Sequence, residues 1–215
     1  RNHDQPLSGM VRLTSTSTFG RFVLAPIISR FLERHPLVRI ETLFTERQVD
    51  LVEEGIDVAF RLGPLEDSAL IGKRVGTMRR VLCAAPLFIA KHGPLEEPGD
   101  LDGKDGLAMN HPSLRFSIAH PGRGRATIAL APRLLSSALD SLMPSLLDGV
   151  GIAWMPAFAV EEHLRSGVLT RLLPEWSMPA SEVTMLYPSN RGISRAVAAL
   201  MAFTVERLPE HHCEA

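Results

Sequence analysis

The 215-residue chain is poor in cysteine and in ring hydroxyls and indoles: it has two cysteines, two tryptophans and one tyrosine. Cys83 sits in an apolar run and Cys213 in a polar tail, so a disulfide framework is not expected. The few aromatics do not alternate with basic residues, which argues against stacking on single-stranded nucleic acid. Charge of one sign is missing as well. The net charge is -1, so no basic field lets this segment grip nucleic acid by itself. A DNA-binding part elsewhere in a longer protein stays compatible with that. No run reaches about 18 apolar residues, so a membrane span is not indicated, and no targeting signal is visible. The chain lacks an initiator methionine and opens on the polar "RNHDQPLSG", which reads as the start of an excised piece.

Catalytic signatures are equally sparse. There is no GxSxG elbow, no phosphate-binding GxxxxGK[ST] and no HExxH. The nearest thing to a ligand pair is His211 and His212, in the polar tail, and no metal site is expected. "LLDGVGIAW" has close glycines, but they follow a helix and precede a strand, the reverse of the dinucleotide-binding order. They read as a helix stop and a tight turn. Neither an enzyme nor a cofactor is expected.

What is present is an alternating α/β pattern. "GMVRLTS" alternates as a strand does. "FGRFVLAPIISRFLERHP" carries Phe22, Leu24, Ile27, Ile28, Phe31 and Leu32 at helical spacing, with Pro26 early and Pro36 as a stop. "VRIETLF" is a second strand, "QVDLVEEG" a short amphipathic helix closed by Gly55, and "IDVAFRLG" a strand apolar enough to be buried on both faces. This is doubly wound logic. The pattern restarts after "GTMRR": strand "VLCAAP", helix "PLFIAKHG", loop "EEPGDLDGKDG", strand "LAMN", and a hairpin turning at "PGRG". Helix "SALDSLMPSLLDG", strand "VGIAWMP", helix "AFAVEEHLRSG", strands "VLTRLLP" and "EVTMLYPS", and a long helix from Ile193 complete it. The final "EHHCEA" reads as frayed. Two α/β lobes, one inserted in the other, are the simplest architecture, with the last helix returning to the first.

Three stretches carry candidate site residues. "TSTSTFGRF" sets five hydroxyls, Thr14 to Thr18, between the first strand and the first helix. That is the carboxyl edge of a strand, where open α/β sheets bind ligands. One N-cap by Ser17 or Thr18 needs only one of the five, so Thr16, Ser17, Thr18 and the following Phe19 are candidates for ligand contact. Arg61 ends an otherwise apolar strand and suits either a ligand carboxylate or a structural ion pair. Asn110, His111 and Ser113 follow a strand of the second half.

Taken together, these motifs resemble the effector-binding domain of LysR-type transcriptional regulators. The likeness runs from Gly9 to about Leu208. It rests on "FGR…LAP", "F…HP.V…E" written here as "FLERHPLVRIE", "VDLVEEGIDVAFRLGPL", "R.LCA.P" and "GIAWMPAFAVEEHLRSGVLTRLLP". It implies a two-lobed, periplasmic-binding-protein-like (type 2) α/β fold, each lobe a sheet flanked by helices, with two crossover strands as hinge. The lobes would be residues 10–76 with 181–208, and 77–180. A small, polar or anionic effector would bind between them, near Thr16, Ser17, Thr18, Phe19 and Arg61 of the first lobe and near Cys83, Asn110 and Ser137 of the second. Many relatives carry small apolar residues where this chain has Ser15 to Thr18, so its site is expected to be more polar. The resemblance further implies a cytoplasmic homodimer or homotetramer, with no membrane role. DNA would be met only through a missing N-terminal helix-turn-helix part. The family's dimer would pack the helix near Phe22–Arg34 on the partner's helix near Ser137–Leu147. A stand-alone solute-binding protein is the alternative reading.

Overall fold

In the computed structural model of the chain, residues 6–63, 70–109, 114–188, 192–208 and 213–214 are described. The chain divides into two compact units, Arg1–Met78 with Ser181–Ala215, and Arg79–Ala180.

The first unit opens with β1 (Ser8–Ser15), whose last three residues are all buried. A continuous helix follows, as α1 (Ser17–Phe19), a π-helical stretch Gly20–Leu24, and α2 (Ala25–Arg34). The π stretch lies directly ahead of Pro26. Proline has no amide to give the carbonyl four residues back, and one wider turn absorbs the mismatch. The start of this helix is pressed onto β2 (Leu37–Phe44): a Cβ added at Gly20 would stand 2.4 Å from the Phe44 ring. The helix expected over "QVDLVEEG" is not there. Leu51–Gly55 is a turn, because the Asp50 carboxylate accepts from the amides of Val52 and Glu53 at 2.9 and 3.0 Å and closes the chain locally. β3 (Val58–Leu62) has Val58, Ala59 and Phe60 buried in succession, as expected of a strand covered on both faces. β4 (Leu70–Met78) is a long strand whose sequence carries no strand-like alternation.

The second unit begins with β5 (Arg80–Ala84) and α3 (Pro86–His92). The segment "EEPGDLDGKDG" is not all loop, since Pro98–Leu101 makes a 3-10 turn with reciprocal bonds between Glu97 and Asp100. β6 (Asp105–Met109) precedes the hairpin of β7 (Arg115–His120) and β8 (Gly124–Ala129), which turns at "PGRG". β9 (Ala131–Ser136) leads into a 3-10 turn, Leu139–Leu142, and α4 (Met143–Leu147). β10 (Ile152–Pro156), α5 (Ala157–Arg165) and β11 (Thr170–Leu172) follow. Their sheet has the order β11-β5-β10-β6-β9. Alternation along β5 sorts the core into two layers. Leu82 and Ala84 face Phe88, Ile118 and Ile128, while Val81, Cys83 and Ala85 face Leu142, Leu146 and Val160.

The chain then returns to the first unit with β12 (Ser181–Pro188) and α6 (Arg195–Arg207). The Ser194 hydroxyl caps α6 by accepting from the Val197 amide at 3.2 Å. The helix packs on α2, with the Phe31 and Phe203 rings edge to face at 5.3 Å. The tail expected to fray instead forms β13 (Cys213–Glu214), paired with Met78 and Thr77 of β4. The sheet order is β13-β4-β12-β3-β1-β2. β1 is parallel to both β2 and β3, and β12 is antiparallel to β3 and β4.

Gly151 gives a direct test of the second sheet. An added Cβ would lie 2.7 Å from the Asp105 carbonyl oxygen, a backbone atom with nowhere to move. Gly151→Ala is expected to lower the unfolding free energy by about 1–3 kcal/mol in urea titration. Gly99→Ala, whose methyl would meet nothing within 4 Å, should stay within about 0.5 kcal/mol of the parent.

Candidate functional site

Parallel pairing sends the chain over one face of the sheet from β1 to β2 and on to β3, which lies on the other side of β1. The reversal of strand order between β2-β1 and β1-β3 is a topological switch point, and ligands of open α/β sheets bind outside the carboxyl ends of strands there. Ser15 is the register partner of Phe60, so Thr16 and Arg61 are the next residues along two adjacent strand ends. Five hydroxyls meet this edge, and they do not share one job.

Thr14 has a structural one: its hydroxyl donates to the Leu43 carbonyl at 2.6 Å and ties β1 to β2. The Ser15 hydroxyl is buried without a partner. Thr16 holds the N-cap position of the helix in extended backbone, yet its side chain caps nothing, and its Oγ1 is also buried without a partner. The Ser17 amide instead donates to Glu46 Oε1 at 2.9 Å. Thr18 is buried, and Phe19 lies under the edge, its ring 6.5 Å from that of Phe60. Capping by Ser17 or Thr18 therefore does not account for the run.

Arg61 supplies the charge. Its guanidinium is half-buried, and one terminal nitrogen is fully covered with no hydrogen-bond partner. Burial holds its pKa below the usual arginine value, and the nearby Glu46 carboxylate opposes that only in part. A buried N–H left unmatched costs about 1–3 kcal/mol. The first unit thus places a cation and two unpartnered hydroxyls around one strand edge. Glu46, just past β2, was not singled out from the sequence. Its only signal there is an acid at the end of a strand run, which is common on any surface.

The remaining candidates lie in the second unit. Cys83 is fully buried in the cluster that also holds Leu107, Ala153 and Met155. Its thiol donates to the Ala153 carbonyl at 3.8 Å, and burial pushes its pKa up to about 12. It has no exposed surface to offer a ligand. Ser137 is exposed in the bend after β9, beside Ser136, whose Oγ is hydrogen-bonded to Ser141 Oγ. Asn110, with His111 and Ser113, lies outside the described residues. Among the described residues no three His, Cys, Asp or Glu side chains are grouped to hold a metal ion, and no helix is long and apolar enough to cross a membrane.

Residues 4–209 match the LysR substrate binding domain family. The chain belongs to that family. It is 32% identical over 206 residues to the HTH-type transcriptional regulator DmlR of Escherichia coli K12, covering 95% of this chain and 67% of DmlR. It is 31% identical over 205 residues to the HTH-type transcriptional regulator PtxR of Pseudomonas aeruginosa, covering 95% of this chain and 64% of PtxR. The regulatory domain of CrgA, a LysR-type regulator from Neisseria meningitidis, superposes with a TM-score of 0.82 at 26% identity, over 94% of this chain and 100% of that one. The chain thus spans about two thirds of DmlR and PtxR and the whole of an isolated regulatory domain. It is the ligand-sensing, effector-binding domain of a LysR-type regulator, with the periplasmic-binding-protein-like fold, and these relatives are regulators of transcription rather than enzymes.

Cys83 yields a chemical check. Thiolate is the reactive form, and a covered thiol with a pKa near 12 supplies almost none at neutral pH. In a Cys213→Ser background, Ellman's reagent should leave Cys83 unlabelled for hours under native conditions and label it fully in guanidinium. Rapid native labelling would show that this side chain is reachable.

Proposed function

We propose that this domain senses a small anionic effector whose carboxylate is met by Arg61 and Thr16 at the carboxyl edge of β1 and β3. The observation that carries this reading is the half-buried guanidinium with an unpartnered N–H. Arginine presents a planar fork of donors matched to a carboxylate, and charge-assisted bonds formed away from water are roughly twice as strong as neutral ones. The Thr16 and Ser15 hydroxyls add donors that also accept, which suits a second oxygen or a hydroxyl on the same molecule. Glu46, engaged with the Ser17 amide, leaves the guanidinium only partly compensated and so still attractive to an anion.

In the full-length regulator, the effector acts by population shift. It moves the equilibrium between conformations of an oligomer on DNA only by the difference in its affinity for them. DNA is contacted through an N-terminal helix-turn-helix, the part of the HTH-type relatives that this chain does not span. The likeness to those regulators favours a sensor over a free-standing solute-binding protein.

Thermal-shift screening of small carboxylic acids, each paired with its uncharged amide, tests the reading. Acids that raise Tm should do so far more than their amides. Arg61→Gln should weaken the best acid by roughly 10- to 100-fold, in line with loss of one charge-assisted bond. Thr16→Val should weaken it by less, roughly 3- to 10-fold. Without ligand, Arg61→Gln should be near neutral in stability, because it removes an incompletely paired buried charge. Equal stabilisation by amides, or an undiminished shift in Arg61→Gln, would overturn the assignment.

A further inference from the structure

The edge of the second sheet carries a cavity that effector binding at Arg61 does not use. β11 is the outermost strand there, hydrogen-bonded only to β5. Beside it lies a cavity of about 280 Å³, lined by residues of the second unit. That is just under the roughly 300 Å³ at which ligand pockets begin, so only a small molecule fits. The wall is aliphatic. Ile89 comes from α3, Leu95 from the chain just after it, and Leu172 and Leu173 from the end of β11. Leu95, Leu172 and Leu173 are buried in one core cluster, with Ile89 packed against it. Among the described residues no aromatic ring lines the cavity. Consecutive strand residues point to opposite faces, yet Leu172 and Leu173 share this wall. The backbone at Leu173 breaks the alternation. Its φ is 48°, the one positive value among the described non-glycine residues. A side chain disfavours that left-handed conformation, and the following Pro174 restricts it further. Such conformations persist only where the surroundings hold them, and they gather at ligand sites.

The rim carries both signs of charge. Glu96 and Arg171 line the same cavity, and both are exposed. No ion pair joins them, and among the described residues neither side chain has another partner. The adjacent carboxylate behaves differently: Glu97 accepts two bonds from Arg123, at 2.9 and 2.6 Å. An anion alone would be drawn to Arg171 and repelled by Glu96. A cation alone would meet the reverse. A zwitterion is complementary to both. Thr170, at the same rim, adds a hydroxyl that can donate to a carboxylate or accept from an ammonium group.

We propose that this cavity binds a free aliphatic amino acid. Its carboxylate is met by Arg171, its ammonium group by Glu96, and its side chain by Ile89, Leu95, Leu172 and Leu173. The site is built by the second unit alone and is distinct from the edge of β1 and β3. It takes a different class of ligand and does not depend on the effector reading. The domain thereby gains a second chemical input, an α-amino acid beside the simple acid met by Arg61.

Isothermal titration calorimetry of the 215-residue chain, with L-leucine as the probe, tests the site. Saturable binding is expected. Leucinamide lacks the carboxylate and N-acetyl-leucine lacks the ammonium group, and each should bind at least roughly fivefold more weakly. Arg171→Gln and Glu96→Gln should each weaken L-leucine by roughly 3- to 10-fold. Both variants replace exposed side chains without partners, so both should fold with a Tm close to that of the parent. Arg61→Gln should leave L-leucine binding unchanged, which separates this site from the effector site. No saturable binding, or binding that Arg61→Gln removes and Arg171→Gln does not, sinks the proposal. N-acetyl-leucine bound as well as leucine would indicate a simple acid. N-acetyl-leucinamide bound as well as leucine would indicate a peptide strand laid along β11. Either result overturns the amino-acid assignment.

Discussion

Parallel pairing of β1 with both β2 and β3 requires each connection to return over a face of the sheet, and it brings three strand ends to one edge. Everything assigned to the first unit follows from that arrangement. Val11 and Leu13 bury the middle of β1, so the strand cannot slip by a residue without turning its core face outward. With the register fixed, the chain must leave the sheet at Thr16, next to Arg61 on one side and near Glu46 on the other. The helix that follows is pinned as well, with Gly20 against the Phe44 ring and Phe19 beside Phe60. The hydroxyls are thus presented by a stiff frame, which limits the entropy a ligand loses on meeting them.

The two units share a feature that packing does not explain. Each keeps an arginine partly covered with a donor unmet, Arg61 in one and Arg80 in the other. Neither is placed like the exposed Arg47–Glu54 or Arg123–Glu97 pairs, whose partners lie within 2.6–2.9 Å at the surface. Such surface pairs contribute little to stability. A covered, unmatched cation lowers stability instead, and proteins keep that kind of defect where something binds. The neighbours of the two arginines differ. Arg61 stands among hydroxyls and a carboxylate at an open strand edge, which suits an organic acid. Arg80 stands beside Trp176, Ile118 and the three leucines Leu82, Leu172 and Leu173.

Much of the fold was legible because its strands and helices carry their own periodicity. β3 read as doubly covered, the hairpin turned at "PGRG", and α6 carried its stripe on Val197, Leu200 and Met201. What was lost obeys the same logic in reverse. β4 is mostly exposed through Arg74, so it lacks the alternation that marks a strand, and only its pairing with β12 makes it one. The expected helix at "QVDLVEEG" gave way to the Asp50 side chain, a local competitor that hydrophobic spacing does not register. The tail strand exists only through β4, a partner more than a hundred residues away in sequence. At the site, the hydroxyl run and Arg61 were readable as residues in an unusual place. Glu46 was not, because its importance lies in one hydrogen bond to the Ser17 amide. Cys83 shows the limit of transferring a position from a family likeness. The residue sits on a strand of the second unit, but alternation turns its side chain into the core.

The central claim is that the unmet donors of Arg61 and Thr16 wait for a carboxylate. A crystal structure of the chain with the acid that most raises its Tm tests this most directly. The account predicts carboxylate oxygens within hydrogen-bond distance of the Arg61 guanidinium and the Thr16 hydroxyl, at the ends of β3 and β1. An ordered acid bound elsewhere, with those two donors still unpartnered, would contradict it.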